Sequence, residues 1–516
     1  MKALLAPPRV GATRRAAARL FPLVSLSPLL PLVLLFFFQL GARDLVSSHE
    51  ARAAQNAQRM LDTGEWGLPT LFDGQPDLQK PPGYYWLVAA AGWLNGKQVT
   101  PWVARFPAAL SAVLAVLLVY SFLRREGYRT GATVAAVALA TANHFVAIGR
   151  TARIDVPLTL CVAAALVWFY RGVGEPRGSS PRPCGSRNPP AGMNPAARFA
   201  VAALFAGFAV LLKGPVALAL VGPVAVALLM VEHRRIPLFP ALIGGAVVAA
   251  VALPWFVWAN RATDGEFFRV FFWHHNVERF TGESDSLASH PWWYYGPRFA
   301  FAFLPWTLPL VTLSARTFAT GAWREDRLFR FGVVWAAVVV AVLSAARFKR
   351  ADYLLPAFPG AAIALGCAAQ RWLSSGASQR AVRRKKWIFG VLLTCGLAVW
   401  PVMWVVVEPK QAAREDKQAF AAAIRGHSPK PQTILLFRAE SHLLAYHLGS
   451  PIHTLVEWGE LKERLSAPGP HAVVMPPDYA AEAERITGRK LVPVATLAEY
   501  LTVRPPRPLV CRRTAD

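Results

Sequence analysis

Apolar residues fall along this chain in recurrent runs of near-spanning length, set apart by polar stretches. The runs cover Leu20 to Ala42, Val103 to Leu123, Thr133 to Ile148, Val156 to Tyr170, Phe199 to Leu212 and Val216 to Val231. They continue with Leu238 to Ala259, Phe299 to Leu313, Phe331 to Ala345, Leu354 to Leu373 and Trp387 to Val407. Several are shorter than the roughly 20 residues of an upright span, so the pattern predicts about eleven transmembrane helices with approximate ends. Reading Tyr84 to Leu94 as a re-entrant or short pair raises the number to about thirteen. The first run is too long for a signal peptide and lacks a small-residue cleavage site, so it reads as a retained span.

Two stretches break this pattern. Gly172 to Asn194 is rich in Pro, Gly, Ser and Arg with almost no apolar content, and predicts a disordered loop because nothing in it can bury a core. After Pro409 the runs shorten. Thr433 to Phe437, Ile452 to Val456 and His471 to Met475 read as buried strands, with helices over Glu440 to Leu448, Trp458 to Leu465 and Tyr479 to Thr487. Strands alternating with helices predict a small α/β domain. It holds no Gly-rich phosphate loop and no cluster of catalytic residue types, so it reads as accessory. The chain is thus a mostly α, polytopic membrane protein over 1–408, followed by an α/β accessory domain over 409–516.

Composition agrees. The 516 residues are 54% hydrophobic and 17% charged, against about a quarter charged in soluble domains. The net charge of +26 raises nucleic acid as a partner, but the cations lie in alternate loops, as the positive-inside rule requires. They run from Arg14, Arg15 and Arg19 through Arg124, Arg125 and Arg129, then Arg171 to Arg198, Arg234 and Arg235, Arg316 to Arg330 and Arg380 to Lys386. This alternation puts the N-terminus in the cytoplasm of a cell with an inner membrane. It puts outside the loop at 43 to 102, the turn at 149 to 155, Lys213, the loop at 261 to 298, the turn at 346 to 353 and the C-terminal domain. Five cysteines with no CxxC pair support neither a zinc knuckle nor a disulfide framework.

The unusual polar residues gather in those outer segments. Ser47-Ser48-His49-Glu50 opens a helical stretch whose Ala53, Ala57, Met60 and Leu61 share one face, predicting a helix along the membrane surface. Lys80 precedes Pro81-Pro82 and the aromatic trio Tyr84-Tyr85-Trp86, a rigid entry at a headgroup boundary. Arg150, Arg153 and Asp155 stand at the mouth of a span, where an Asp is equally at home as a helix N-cap. Lys213 sits at a Gly-Pro break, where the plain alternative is a snorkelling lysine. Phe271 to Trp293 packs His274, His275, Asn276, Glu278, Arg279, Glu283, Asp285 and His290 between aromatics. Such histidines suit metal ligation or phosphate contact, but without an HExxH spacing they do not make a zinc hydrolase. Arg347, Lys349, Arg350, Asp352 and Tyr353 put three cations on the outer face against the positive-inside bias, and an anionic lipid phosphate is a sufficient reason.

In this order the segments resemble the bacterial lipid A aminoarabinose transferases and the wider protein O-mannosyltransferase family of the GT-C fold. The resemblance runs through Ser48 to Leu61, Thr63 to Trp66, Lys80-Pro81-Pro82 with Trp86, Arg105-Phe106-Pro107, Arg153-Ile154-Asp155 and Leu212 to Pro215. It continues through His275-Asn276, Arg279-Phe280, Pro291 to Tyr295, Pro305-Trp306 and Tyr353 to Pro356, covering the chain to about residue 370. It implies transfer of a sugar from a polyprenyl (undecaprenyl) phosphate to a lipid A-like, glycan or protein acceptor outside the membrane. The roles it implies set Lys80, Arg279 and Tyr353 by the lipid phosphate, and His274 and His275 beside a divalent metal ion. Lys213 and Asp155 then line the catalytic space, with Tyr84, Arg153 and Lys349 as further substrate contacts. Two positions depart from the family. His49 stands where it usually has Asp, and Gln79 where it often has Glu, so His49, Glu50 and Asp155 all remain candidate bases. A non-enzymatic carrier of lipid-linked glycans, or an inactive transferase, is the competing expectation. A carrier would show internal repeats and polar groups at mid-membrane breaks.

Overall fold

A computed structural model of the protein describes residues 30–174, 193–235, 238–281, 290–375, 378–407, 417–426, 433–439, 442–449, 452–466, 471–488, 491–496 and 509–513. The predicted loop Gly172 to Asn194 therefore lies almost wholly outside the described residues, and the first apolar run is described only from Leu30.

Nineteen helices carry labels here, and the first ten follow in chain order. These are α1 (Leu30–Phe37), α2 (Ser48–Thr63), α3 (Gly83–Leu94), α4 (Pro101–Arg125), α5 (Arg129–Thr141), α6 (Asn143–Gly149), α7 (Asp155–Val173), α8 (Pro195–Lys213), α9 (Val216–Val231) and α10 (Leu238–Ala262). An 11-residue π-helix, Phe268–Glu278, and one helical turn, Arg279–Thr281, come next. The membrane part ends with α11 (Tyr295–Ala302), α12 (Thr307–Ala319), α13 (Arg327–Ala345), the 3-10 segment Ala351–Ala357, α14 (Phe358–Ser374) and α15 (Gln379–Val402).

Among the described residues seven helices are long and apolar enough to cross a membrane, or nine if each of two bent pairs is one span. The bent pairs are α5 with α6, at 61°, and Trp292–Ala302 with α12, at 107°. With the 16-residue α9, these account for every predicted run after the first. The lower number reflects breaks that hydropathy alone does not register. Tyr84 to Leu94 forms one 12-residue helix, α3, and not a pair.

The core of the bundle is made of small residues. Helix α14 buries Phe358 to Ala369 without interruption, and α4 and α5, rich in buried alanines, pack against it. Small side chains let helices approach closely, which is how packing holds a bundle together where no water drives it.

Helix α2 is packed on both of its faces. Ala53, Ala57, Met60 and Leu61 do share a face, but they pack against α3 and α4 in a cluster with Tyr84, Val88 and Val103. The opposite face is covered as well. There α17 (His442–Leu448) is seated, with Gln55 Nε2 donating to His442 O at 2.8 Å. Arg52 Nη2 lies 2.8 Å from His442 Nε2, which must accept because guanidinium only donates. Tyr446 donates to Val99 O at 2.7 Å, and His447 pairs with Asp44 at 2.7 Å.

The C-terminal segment begins with α16 (Lys417–Gly426) and carries β1 (Thr433–Phe437), β2 (Ile452–Leu455), α18 (Trp458–Ser466), β3 (His471–Met475), α19 (Ala480–Thr487), β4 (Leu491–Thr496) and β5 (Leu509–Arg513). The sheet order is β2-β1-β3-β5-β4. The three predicted strands form its parallel half, and the two unpredicted ones add an antiparallel half.

Candidate active site

The site begins where α7 and α8, packed side by side and running in opposite directions, bring one end each to the same level. Asp155 is the first residue of α7 and Lys213 the last of α8. Each charge thus sits at the helix end whose dipole favours it. Lys213 Nζ donates to Asp155 Oδ1 at 2.5 Å, with both side chains under a tenth exposed. This settles the two plain alternatives. Asp155 makes no N-cap bond, and Lys213 is not snorkelling.

Gly214 explains why the lysine is held. Its backbone lies at φ 76°, ψ −152°, and a Cβ there would come within 2.4 Å of the Phe271 ring. Only glycine accepts that conformation without strain. Phe271 is presented by the π-helix, where Asn276 Nδ2 donates to Phe271 O at 2.6 Å. Gly83 supplies a second close approach, since a Cβ on it would meet Leu211 O at 2.6 Å. That contact sets the Lys80-Pro81-Pro82 entry of α3 against the end of α8.

Asp352 gathers the remaining charges. Arg153 donates to its Oδ2, Arg350 reaches the same oxygen at 3.4 Å, and His144 Nε2 lies 3.1 Å from Oδ1. His144 gets there because the chain breaks between α5 and α6. The next residue, Tyr353, lays its ring under Lys213 Nζ at 4.0 Å, joining the two halves of the cluster. Arg153 and Asp352 also lie within electrostatic reach of Asp155.

His49 opens to solvent beside this cluster. Burial by the surrounding protein and the positive fields of Arg153 and Arg350 push its pKa down to about 4, with Lys80 adding to the effect and Asp155 opposing it. The imidazole is neutral at ordinary pH.

Glu50, the neighbour of His49, is placed quite differently. It is fully buried against the fully buried Arg105, at 2.8 Å. Arg105 also donates to Leu40 O, Arg43 O and Asp44 O, while Glu50 accepts from Val46 N and Ala152 N. Burial works against its charge, but Arg105 and the two backbone donors together hold its carboxyl below the usual range. All its acceptor directions are spent inside the protein, which leaves none for a substrate proton.

Two other expected contacts, Tyr84 and Lys349, sit apart from the cluster. Tyr84 is buried with its hydroxyl donated to Ala104 O at 3.0 Å, a packing contact between α3 and α4. Lys349 is buried and donates to His290 O at 3.0 Å and to Ala346 O, tying down the chain at 290 instead of facing a ligand. Arg279 lies in a helical turn, and its side chain is outside the described residues.

His274 Nδ1 pairs with Glu278 at 2.5 Å across one turn of the π-helix, and its ring meets that of His275 edge-on. Among the described residues no three His, Cys, Asp or Glu side chains come together as a metal would require. Glu283 and Asp285 are outside them. The described donors do not complete a coordination set, so no step below is routed through a metal.

Arg350 was among the outer cations expected to meet a lipid phosphate, and Asp352 was noted beside Tyr353 without a role, whereas His144 was missed as a site residue. His144 was signalled only by the polar pair Asn143-His144 interrupting an apolar run.

At the opposite end of the bundle a separate network ties Glu232 to Arg327 and Arg330, and Asp326 to Arg371 and Tyr128. The predicted basic loops lie at that end.

Comparison with known proteins agrees with this arrangement. A model of the dolichyl-phosphate-mannose-protein mannosyltransferase family matches residues 79–180. The undecaprenyl phosphate-alpha-4-amino-4-deoxy-L-arabinose arabinosyl transferase of Aeromonas hydrophila is 29% identical over 406 residues, 77% of this chain and 69% of that one. The Pseudomonas aeruginosa PAO1 protein of the same name is 31% identical over 356 residues, 67% of this chain. The chain spans 59% of the length of that relative and of the one from Shewanella sediminis. Among solved structures, ArnT from Cupriavidus metallidurans bound to undecaprenyl phosphate superposes with a TM-score of 0.72 at 20% identity, over 96% of this chain and 98% of that one. The oligosaccharyltransferase AglB from Archaeoglobus fulgidus superposes with a TM-score of 0.53 at 13% identity, over 90% and 71%.

The chain thus has the polytopic membrane fold of these two solved structures. By sequence it is similar to the undecaprenyl phosphate-aminoarabinose arabinosyl transferases of Aeromonas and Pseudomonas.

Proposed function

We propose that this protein transfers a sugar from an undecaprenyl-phosphate donor to a lipid A-like acceptor at the outer face of the inner membrane. The observation that carries the reading is the gathering of Lys80, Arg153, Lys213 and Arg350 with Asp155 and Asp352 at one end of the bundle, away from the basic loops. By the positive-inside rule the basic end is cytoplasmic, so the cluster and the C-terminal domain face outward.

The chemistry follows from the charges. The acceptor hydroxyl attacks the anomeric carbon as the bond from that carbon to the phosphate oxygen breaks, with inversion. The electron pair stays on the phosphate, and cations already in place stabilise the charge that develops there. Lys80 and Arg350 are the contacts we assign to the phosphate, together with Tyr353 and Arg279, which the family resemblance contributes. Lys213 and Arg153 hold the two aspartates in position.

The acceptor proton must go to a group within hydrogen-bond reach. His49, neutral and open, and Asp155 are the two we retain. Glu50 we assign to architecture, since Arg105 and two backbone amides consume its oxygens.

Glycolipid profiling of a deletion strain tests the function. Accumulated undecaprenyl-phosphate sugar together with a missing glycan is expected, and an unchanged profile under conditions where the protein is produced refutes it.

A further inference from the structure

The transfer chemistry makes no use of the buried carboxylate of Asp77. This residue ends a short hairpin in which Asp77 N donates to Pro69 O at 2.8 Å and Thr70 bridges Pro76. Gly74 turns the hairpin at φ 83°. The Asp77 side chain is almost wholly buried, and a carboxylate away from water needs partners to offset its lost hydration. Four groups converge on it. Oδ1 accepts from Gln79 N at 3.3 Å and faces Arg52 Nη1 at 3.5 Å. Oδ2 accepts from Asn56 Nδ2 at 3.0 Å and from the Tyr85 hydroxyl at 3.1 Å.

Two of these partners bracket Lys80. Gln79 N lies just before it, and Tyr85 stands in the first turn of α3, just beyond Pro81 and Pro82. One carboxylate thereby closes the loop from 77 to 85 across two prolines whose rings already fix φ. The other two partners, Arg52 and Asn56, lie one turn apart on α2, the helix whose first turn carries His49. His49 in turn feels the charge of Lys80, so the two segments that Asp77 joins bring neighbouring residues to the cluster. On the outer side Arg52 is held by His442 of the C-terminal domain at 2.8 Å.

We propose that Asp77 is a positioning residue for Lys80, fixing the 77–85 loop against α2 so that the lysine meets the donor's phosphate from an ordered backbone. The inference rests on the proposed function, and within it on the assignment of Lys80 to the phosphate. Lysine is long and flexible, and ordering its base before binding lowers the entropy lost when the contact forms. Releasing the loop should therefore weaken the contact, by no more than deleting the ammonium itself would.

The test uses the full-length protein in lipid nanodiscs with undecaprenyl phosphate as the probe. Its Kd is read by native mass spectrometry, and folding by thermal melting. Asp77→Asn keeps the shape but replaces one acceptor oxygen by a donor, so the clamp loses one side. The expected result is a Kd raised about tenfold, the scale of one charge-assisted hydrogen bond. Lys80→Met should raise it at least as much, and adding Asp77→Asn to Lys80→Met should change little more, because residues acting through one contact are not additive. Tyr85→Phe removes only the hydroxyl at the far end of the loop and should raise Kd about threefold. That variant decides the matter if Asp77→Asn folds poorly. Asp326→Asn, at a buried carboxylate of the opposite end of the bundle, should melt lower and bind as the wild type does. Lower melting with unchanged Kd in Asp77→Asn, wild-type affinity in Tyr85→Phe, or simple addition of the Asp77 and Lys80 effects would reduce Asp77 to a stabilising residue and overturn the inference. Unchanged binding by Lys80→Met removes the phosphate assignment, and absence of binding by the wild type removes the transferase reading. The inference falls with either.

Discussion

Replacing Glu50 by Gln separates an architectural carboxylate from a catalytic base. The substitution preserves shape but removes the charge that balances Arg105, and it swaps one acceptor oxygen for an amide that can only donate. Both side chains are wholly buried, so the guanidinium is left as an uncompensated cation away from water. Breaking one side of such a pair costs about 3–5 kcal/mol. Unfolding entropy of about 2.1 cal/mol/K per residue, over 516 residues, amounts to ~1.1 kcal/mol/K. The melting temperature should therefore fall by about 3–5 °C. Removing Arg105 should cost more, because Leu40, Arg43 and Asp44 each lose a donor to their carbonyl, at about 1–3 kcal/mol for each buried acceptor left unsatisfied. The double variant Glu50→Gln with Arg105→Gln should lose less than the two singles together, with a coupling of about 1–3 kcal/mol. The assay is fluorescence-monitored melting in detergent, with donor turnover measured on the fraction that remains folded. A Glu50→Gln protein that melts like the wild type and yet turns over no donor would show that Glu50 is the base, and the architectural assignment would fall.

Three further outcomes follow from the site. Lys213→Met should abolish turnover and lower the melting temperature by a similar few degrees, since Asp155 is left buried without its cation; unchanged donor turnover would detach the pair from the chemistry. Gly214→Ala should destabilise by about 1–3 kcal/mol through its left-handed backbone and the 2.4 Å approach to Phe271, and wild-type melting would contradict the account of how Lys213 is held. For His49, the folded pKa lies below its ordinary value, so the unfolded chain binds the extra proton between about pH 6.5 and pH 4. Stability should be independent of this group above that window and decline as pH falls through it, a slope that His49→Asn should remove. If His49 is the base, the acid limb of activity should lie well below 6.5, and a limb near 6.5 that His49→Asn abolishes would contradict the field described here.

Much of this protein can be read without its structure, for a physical reason. Spanning segments are set by the free energy of moving each residue into hydrocarbon, which is nearly additive along the chain. Ten of the eleven predicted runs accordingly match described helices or bent pairs, and the alternation of Arg-rich loops agrees with the clustering of basic residues at one end. The parallel strands Thr433–Phe437, Ile452–Leu455 and His471–Met475 were legible for the same reason, being short apolar runs between helical ones. Strands Leu491–Thr496 and Leu509–Arg513 were not, because their pairing partners are chosen only when the sheet assembles.

Which charges meet is likewise a tertiary matter. Asp155 looked like a helix cap until α8 brought Lys213 from 58 positions away, and Glu50 looked like a base until Arg105 arrived from 55. Asp352 drew no assignment because Arg153 reaches it from 199 residues earlier and His144 from 208. The chain specifies each residue's cost of leaving water, but the offset of that cost depends on partners that only packing delivers. The sequence alone therefore determined that this protein spans a membrane and that its unusual polar residues collect in alternate loops. Tertiary structure decided which of them are spent on holding the bundle and which remain for chemistry.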